Sequence, residues 1–262
     1  MRRALIAFLL LTSCRAEQAQ SVRAEAPVSA CADRLFEGTR FTVCSAKGGR
    51  IEIRTSDIAG RPYRSFAALE AALGGRAANV AFAMNAGMFD EDGRAIGLLI
   101  EDGRQLHAIN RRKGGGNFHL MPNGVFLVRR DVRSEVVTSS EYRPSKDVVF
   151  ATQSGPMLVI DGKLHPAFDH DGRSRYVRNG VGIAPDGTSV FAISVEPVSL
   201  GKFARFYRDE IKADDALFFD GAVSSLWDPA NGRRDAHTEL GPMVVVFKPE
   251  ASAPGREGRA RP

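Results

Sequence analysis

Five polar clusters interrupt the apolar runs of this chain. They are Asn85-Ala86-Gly87-Met88-Phe89, Asn117-Phe118 with Pro122-Asn123-Gly124, Gln153-Ser154-Gly155-Pro156, Arg178-Asn179-Gly180, and Asp220-Gly221-Ala222-Val223-Ser224-Ser225. Each directly follows or precedes a stretch apolar enough to be a buried strand. Small residues at a strand end let a backbone approach a ligand closely, and polar side chains there can point into one cleft. A single cluster of this kind is more often a turn than a site; five in one chain argue for a shared site. Asp220 stands apart from the other Asp-Gly pairs. It ends the apolar run Ala216-Leu217-Phe218-Phe219 and opens Val223-Ser224-Ser225-Leu226-Trp227, a segment of helical character. A carboxylate there could serve as base or nucleophile, or could cap the short helix that follows.

Other chemistries lack their signatures. There is no His-Glu-x-x-His, Gly-x-Ser-x-Gly, Walker loop or Cys-x-x-Cys pair. Gly114-Gly115-Gly116 lacks the Lys-Ser/Thr of a phosphate cradle, and the five histidines show no ligand spacing. Asp169-His170-Asp171-Gly172 lacks the later bidentate Glu of a calcium loop. No cofactor is predicted. Asp220, Asp90 and Glu196 could hold a divalent cation, but no spacing demands one.

The elements that must carry these clusters are short strands. Six Asp-Gly and three Asn-Gly dipeptides mark tight turns. Between them, strands are expected at 51–53, 80–84, 96–100, 125–128, 148–151, 157–160, 190–195, 216–219 and 243–247. Two helices are expected. Residues 65–73 align Phe66, Leu69 and Leu73 on one face. Residues 199–213, capped by Ser199, align Phe203, Tyr207 and Ile211. The expectation is one α+β domain, a single strand-rich unit with a mixed sheet core and a few flanking helices, spanning residues 29–249.

Composition places the chain among globular proteins: 44% hydrophobic and 26% charged residues over 262 positions. The formal charge of +5 falls to about +2 once Arg2, Arg3 and the net +1 of residues 250–262 are set aside. A near-neutral body, with no basic run longer than Arg111-Arg112-Lys113, gives no reason to expect a nucleic-acid partner. Met1-Arg2-Arg3 and the apolar residues 4–11 read as an export leader. Leu11-Thr12-Ser13-Cys14 looks like a lipobox, so residues 1–14 are expected to be a lipoprotein-type signal with Cys14 acylated. The alternative is ordinary cleavage near Ala24-Glu25-Ala26. Residues 15–28 read as a tether, and 250–262 as a polar tail. With Arg15 after the cysteine, the expected place is the outer membrane facing the periplasm, or the soluble periplasm or exterior if cleavage is ordinary. Export leaves Cys31 and Cys44 as an even pair, expected to form a disulfide worth roughly 3 kcal/mol.

The clusters, in this order, resemble the phosphodiester glycosidase family, and within it a small bacterial branch. The resemblance runs from about Asn79 to Phe247. It is carried by Asn85-Ala86-Gly87-Met88-Phe89, Ala151-Thr152-Gln153-Ser154-Gly155-Pro156-Met157-Leu158, Arg178-Asn179-Gly180-Val181-Gly182 and Asp220-Gly221-Ala222-Val223-Ser224. Ala86 stands where the family's uncovering enzyme has the middle glycine of an Asn-Gly-Gly-aromatic motif. Ala222-Val223 replace two glycines of its Asp-Gly-Gly-Gly-Ser motif, bulk that would reshape a sugar pocket. The resemblance implies hydrolysis of the anomeric bond of an anionic sugar-1-phosphodiester.

On that chemistry the leaving phosphate needs little protonation. The reaction needs a carboxylate for the oxocarbenium-like carbon or the attacking water, and a cation for the phosphate. Asp220 is the candidate carboxylate, with Glu196 as a second. Arg178 is the candidate cation, since a guanidinium grips two phosphate oxygens at once. Asn85, Asn117, Asn123, Gln153, Ser154, Asn179 and Ser224 are the candidate substrate contacts. Two further readings stay open: a non-catalytic module binding envelope glycans, and a phosphodiesterase that releases sugar 1-phosphate.

Overall fold

A computed structural model describes residues 29–249. The proposed signal, Cys14, the tether and the polar tail lie outside the described residues. In chain order the strands are β1 (Cys31–Phe36), β2 (Thr39–Ser45), β3 (Arg50–Arg54), β4 (Val80–Asn85), β5 (Leu99–Glu101), β6 (Arg104–His107), β7 (Gly124–Arg129), β8 (Ser134–Thr138) and β9 (Val148–Ser154). They continue with β10 (Met157–Ile160), β11 (Lys163–Leu164), β12 (Asn179–Ile183), β13 (Ser189–Ser194), β14 (Ala216–Phe218), β15 (Leu226–Asp228), β16 (Arg233–Arg234) and β17 (Met243–Phe247). Two α-helices flank them, α1 (Phe66–Leu73) and α2 (Leu200–Arg205). The strand-rich α+β class therefore holds.

The strands form three sheets, ordered β1-β2-β13-β12-β14-β10-β11, β16-β15-β4-β17-β3 and β6-β5-β9-β7-β8. Among the described residues every ladder is antiparallel, which corrects the expectation of a mixed core. The reason is the strand order. Helical connections do join strands that point the same way, β3 to β4 through α1 and β13 to β14 through α2, but in each case an antiparallel strand, β17 or β12, is inserted between the two. At Asp102-Gly103 and Asp161-Gly162 both residues have positive φ (51° and 76°, 46° and 71°). That is the two-residue hairpin turn an Asp-Gly dipeptide favours. Asn179-Gly180 departs from the turn reading, because both residues lie inside β12. A Cβ on Gly180 would stand 2.5 Å from the Leu217 carbonyl oxygen, so glycine there permits close strand packing.

One core sits where the sheets meet. Phe191 of β13 contacts Phe82 of β4 at 5.5 Å and Phe126 of β7 at 5.6 Å, both edge-on, so a single ring joins all three sheets. Helix α1 starts where Ser65 accepts a hydrogen bond from Ala68 N–H. It buries Phe66, Leu69 and Leu73 against Val80, Ala83, Trp227 and Val245. Helix α2 is capped by Ser199, which accepts from Lys202 N–H at 3.1 Å. Beyond Arg205 the chain winds as a π-helix to Ile211, so the expected continuous α-helix to residue 213 is widened over its second half. Phe203, Tyr207 and Ile211 remain buried against the seven-stranded sheet. Cys31 and Cys44 are partners across β1 and β2 and form a disulfide.

Candidate active site at one end of the strands

The antiparallel order brings the carboxyl ends of β4, β9 and β14 to the same pole as the amino end of β12. There Asn85, Asn179 and Ser224 form a buried polar knot. Asn179 Nδ2 donates to Asn85 O at 3.0 Å and to Asn85 Oδ1 at 2.9 Å. Ser224 Oγ donates to Asn179 Oδ1 or Val177 O, each at 3.1 Å. Ser225 N–H donates to Asn85 Oδ1 at 2.8 Å. Asn85 Nδ2 donates to Asp220 O at 2.8 Å, and Asp220 N–H donates to Ala86 O at 3.1 Å. The backbone on both sides of the Asp220 side chain is thus fixed by the end of β4.

Asp220 caps the short 3-10 turn Gly221–Val223 through Oδ1, which accepts from Ala222 N–H at 3.2 Å. The helix-cap reading is realised, and the second carboxylate oxygen stays clear of it. Burial pushes the Asp220 carboxyl above the ordinary carboxylate range, against a lowering influence from the Ala222 N–H. Leu226-Trp227 begin β15 instead of extending a helix.

Arg178 is 1% exposed. In the β12–β14 ladder Gly180 faces Phe218 and Phe219 N–H donates to Asn179 O at 3.0 Å; Asp220 N–H then turns to Ala86 O, so Arg178 and Asp220 lie just beyond the paired ends of the two strands. Its Nε donates to Val198 O at 2.8 Å and its Nη2 to Ser174 O at 2.9 Å, while its guanidinium lies 5.3 Å from the Phe218 ring centre. Its backbone N–H donates to Ser194 Oγ at 3.0 Å. Burial lowers its pKa to about 10. Among the described residues neither Arg178 nor Asp220 has a salt-bridge partner. The guanidinium is thus buried and held by neutral groups, with no carboxylate among the described residues neutralising its charge.

A second knot lies beside the first. Gln153 Oε1 accepts from Leu98 N–H at 2.9 Å and Asn110 N–H at 2.8 Å, and its Nε2 donates to Asn110 O at 2.6 Å. Gln153 Nε2 also reaches Asn123 Oδ1 at 3.4 Å, and Asn123 Nδ2 donates to Phe118 O at 2.9 Å. Gly87 joins the knots: its N–H donates to Thr152 Oγ1 at 3.2 Å. Ser154 is fully buried, and its Oγ has no hydrogen-bond partner among the described residues.

The clusters therefore converge, with two exceptions. Asn117 is exposed on a 3-10 turn and makes no side-chain hydrogen bond among the described residues. Glu196 is exposed, accepts from Arg40 N–H at 3.0 Å and pairs with the Arg40 guanidinium at 3.7 Å, so it joins neither knot. Asp90 closes a turn by accepting from Arg94 N–H at 2.9 Å. Among the described residues no three His, Cys, Asp or Glu side chains converge as metal ligands would. Asn85, Asn123, Gln153, Asn179 and Ser224 spend their hydrogen bonds on one another and on backbone, which makes them holders of the site. Ser174, Ser194 and Asn110 escape the sequence reading, and Thr152 enters it only within the family motif, without a role. Each acts by a contact across strands or loops that no local spacing announces.

The phosphodiester glycosidase family model matches residues 78–247. The uncharacterized protein YigE of Escherichia coli K12 is 37% identical over 148 residues, which are 56% of this chain and 58% of that protein. The chain thus spans little more than half the length of that relative. Among solved structures, the catalytic domain of zebrafish N-acetylglucosamine-1-phosphodiester alpha-N-acetylglucosaminidase, auto-inhibited by its pro-peptide, is similar in fold. The TM-score is 0.57 at 16% identity, over 83% of this chain and 81% of that one. A hypothetical protein from Synechocystis is similar with TM-score 0.51 at 12% identity, over 83% of this chain and 61% of the other. The family match takes in β4 to β17, every strand that supplies the two knots, and the chain belongs to the phosphodiester glycosidase family.

Proposed function

We propose that this protein is an exported hydrolase that cleaves the anomeric bond of sugar-1-phosphodiesters in envelope or extracellular glycans. Besides family membership, one observation supports the reading: a partly buried carboxylate, Asp220, and a buried guanidinium, Arg178, neither with a salt-bridge partner among the described residues, lie just beyond the paired ends of β14 and β12. In this reading Asp220 supports the electron-poor anomeric carbon or takes a proton from the attacking water. Arg178 stabilises the negative charge that gathers on the departing phosphate. The Asn85–Asn179–Ser224 knot keeps both on fixed backbone, so little reorganisation accompanies the reaction. We further propose acylation at Cys14, with the domain tethered in the periplasm.

Incubation with an N-acetylglucosamine-1-phosphate diester, followed by product analysis, tests the proposal. Free sugar is expected. Sugar 1-phosphate would move the cleavage to the phosphorus side, and binding without release would make the protein a glycan-binding module.

A further inference from the structure

The pole opposite the polar knots has its own character. A cavity of about 890 Å³ opens there, lined among others by Lys47, Arg76, Val132, Asp186 and Lys248. Lys47 pairs with Asp186 at 3.3 Å, with both side chains more than half exposed. Arg76 and Arg50 both bond the buried carboxylate of Glu52 and lie over the Phe247 ring at 4.7 and 4.6 Å. Lys248 Nζ donates to Ala78 O at 3.1 Å. Asp186 offsets Lys47, Glu52 offsets one of Arg50 and Arg76, and Asp131 pairs with Arg133 at 2.7 Å, so with Lys248 and Arg130 counted, six cations face three carboxylates and the face keeps a positive excess.

The β7–β8 hairpin tip adds an apolar point to this face. Val132 is 69% exposed and flanked by Arg130, Asp131 and Arg133. Its φ is 64°, a left-handed conformation that a β-branched residue adopts only under strain. A glycine or asparagine would sit there more easily, so an exposed aliphatic at this position costs stability and gains nothing from the fold.

Both ends of the described chain also lie here. Ala30 O accepts from Ser45 N–H at 2.9 Å, and the next residue, Ala46, lines the cavity, as does Pro249. Residues 1–28 and 250–262 therefore join the domain at the basic pole.

We propose that this pole docks on the surface of an anionic phospholipid bilayer. Lys47, Arg76, Lys248, Arg130 and Arg133 face the headgroups, Val132 enters the headgroup boundary, and the polar knots are turned to the aqueous side. Basic residues attract an anionic leaflet over about one Debye length, and an exposed aliphatic among them has a use at a lipid boundary that it lacks on a polyanionic chain. The inference is independent of the catalytic reading.

The test uses the full chain carrying Cys14→Ser, so that no acyl group contributes, in flotation with vesicles. The parent is expected to float with phosphatidylcholine vesicles containing phosphatidylglycerol, to stay behind with phosphatidylcholine alone, and to be released by salt. Lys47→Gln, Lys248→Gln and Arg133→Gln together should weaken partitioning by about 100-fold, taking about fivefold for each charge. Val132→Gly should weaken it severalfold while raising the thermal midpoint, since glycine accepts the positive φ; this variant separates docking from folding. The double change Arg173→Gln and Arg175→Gln, beside Ser174 at the other pole, should leave partitioning unchanged. Equal partitioning of the triple variant and the parent, equal binding to neutral vesicles, or an equal loss in the Arg173/Arg175 control would overturn the proposal.

Discussion

Asn179 donates its side-chain amide to both oxygens of Asn85, the backbone carbonyl at 3.0 Å and the side-chain carbonyl at 2.9 Å, across 94 positions of sequence. This pairing ties the amino end of β12 to the carboxyl end of β4, strands of different sheets. Arg178 precedes Asn179 in the chain, and Asn85 holds the carbonyl of Asp220. A displacement of either asparagine would move the guanidinium and the carboxylate relative to each other.

Asn179→Ala should therefore lower turnover more than its effect on folding suggests. It strands Asn85 Oδ1 and O with fewer donors, which costs about 1–3 kcal/mol for buried polar groups. Chemical denaturation with parallel assay of sugar release checks this. A variant that loses stability but keeps its kcat would show that the knot does not position the site.

Asp220→Asn should abolish sugar release by about 100-fold or more, since an amide can neither accept the proton nor stabilise a cationic carbon. Asn can still cap Gly221–Val223, so the fold should persist. Thermal unfolding at neutral pH should show a midpoint equal to or above that of the parent, because the buried charge is gone.

The acid limb of the rate profile should lie above the ordinary Asp range. Turnover needs the ionised carboxylate, so it appears only as pH rises through the elevated pKa of Asp220. Stability from this group runs the other way. The folded state holds the proton more firmly than the unfolded chain, so the contribution is full below the unfolded pKa and is lost as pH climbs through the folded one. Denaturant midpoints measured over the same pH window should fall where activity rises, and Asp220→Asn should remove that component of the slope.

Arg178→Lys should lose roughly tenfold or more in kcat on a phosphodiester. A lysine cannot serve Val198 O and Ser174 O as a planar fork, and burial shifts a lysine toward its neutral form. The effect should shrink on a sugar with an uncharged leaving group, because the cation acts on the phosphate. Equal losses on both substrates would assign Arg178 a purely structural part.

Gly87→Ala should be strongly disruptive. A Cβ would stand 2.3 Å from Thr152 Oγ1 and 2.4 Å from the Gln153 carbonyl oxygen. Overpacking of this kind costs typically about 1–3 kcal/mol. Adding Thr152→Ala should restore little stability, because the second contact is backbone. Full rescue in a denaturation series would show that the two knots are not locked through this residue.

Much of this protein was decided within a few residues of sequence. Apolar runs between turn dipeptides mark most of the core strands, Ser65 and Ser199 start the helices, and Cys31 and Cys44 form an even pair. These follow from sequence because periodicity, capping and turn chemistry are free energies of neighbouring residues. The motifs around Asn85, Gln153, Arg178 and Asp220 likewise identify the family without coordinates. Tertiary structure alone decided what the polar residues do. It turned Asn85, Asn179 and Ser224 inward on each other, joined Gln153 to Asn110 and Asn123, and left Glu196 outside with Arg40. It also placed Asn179-Gly180 inside β12 instead of at a turn. A hydrogen-bond partner 94 positions away depends on which strand ends the sheet order brings to one pole, and that order is a property of the whole packed core. No local pattern carries it, and so the residue types of the site were legible while their partners were not.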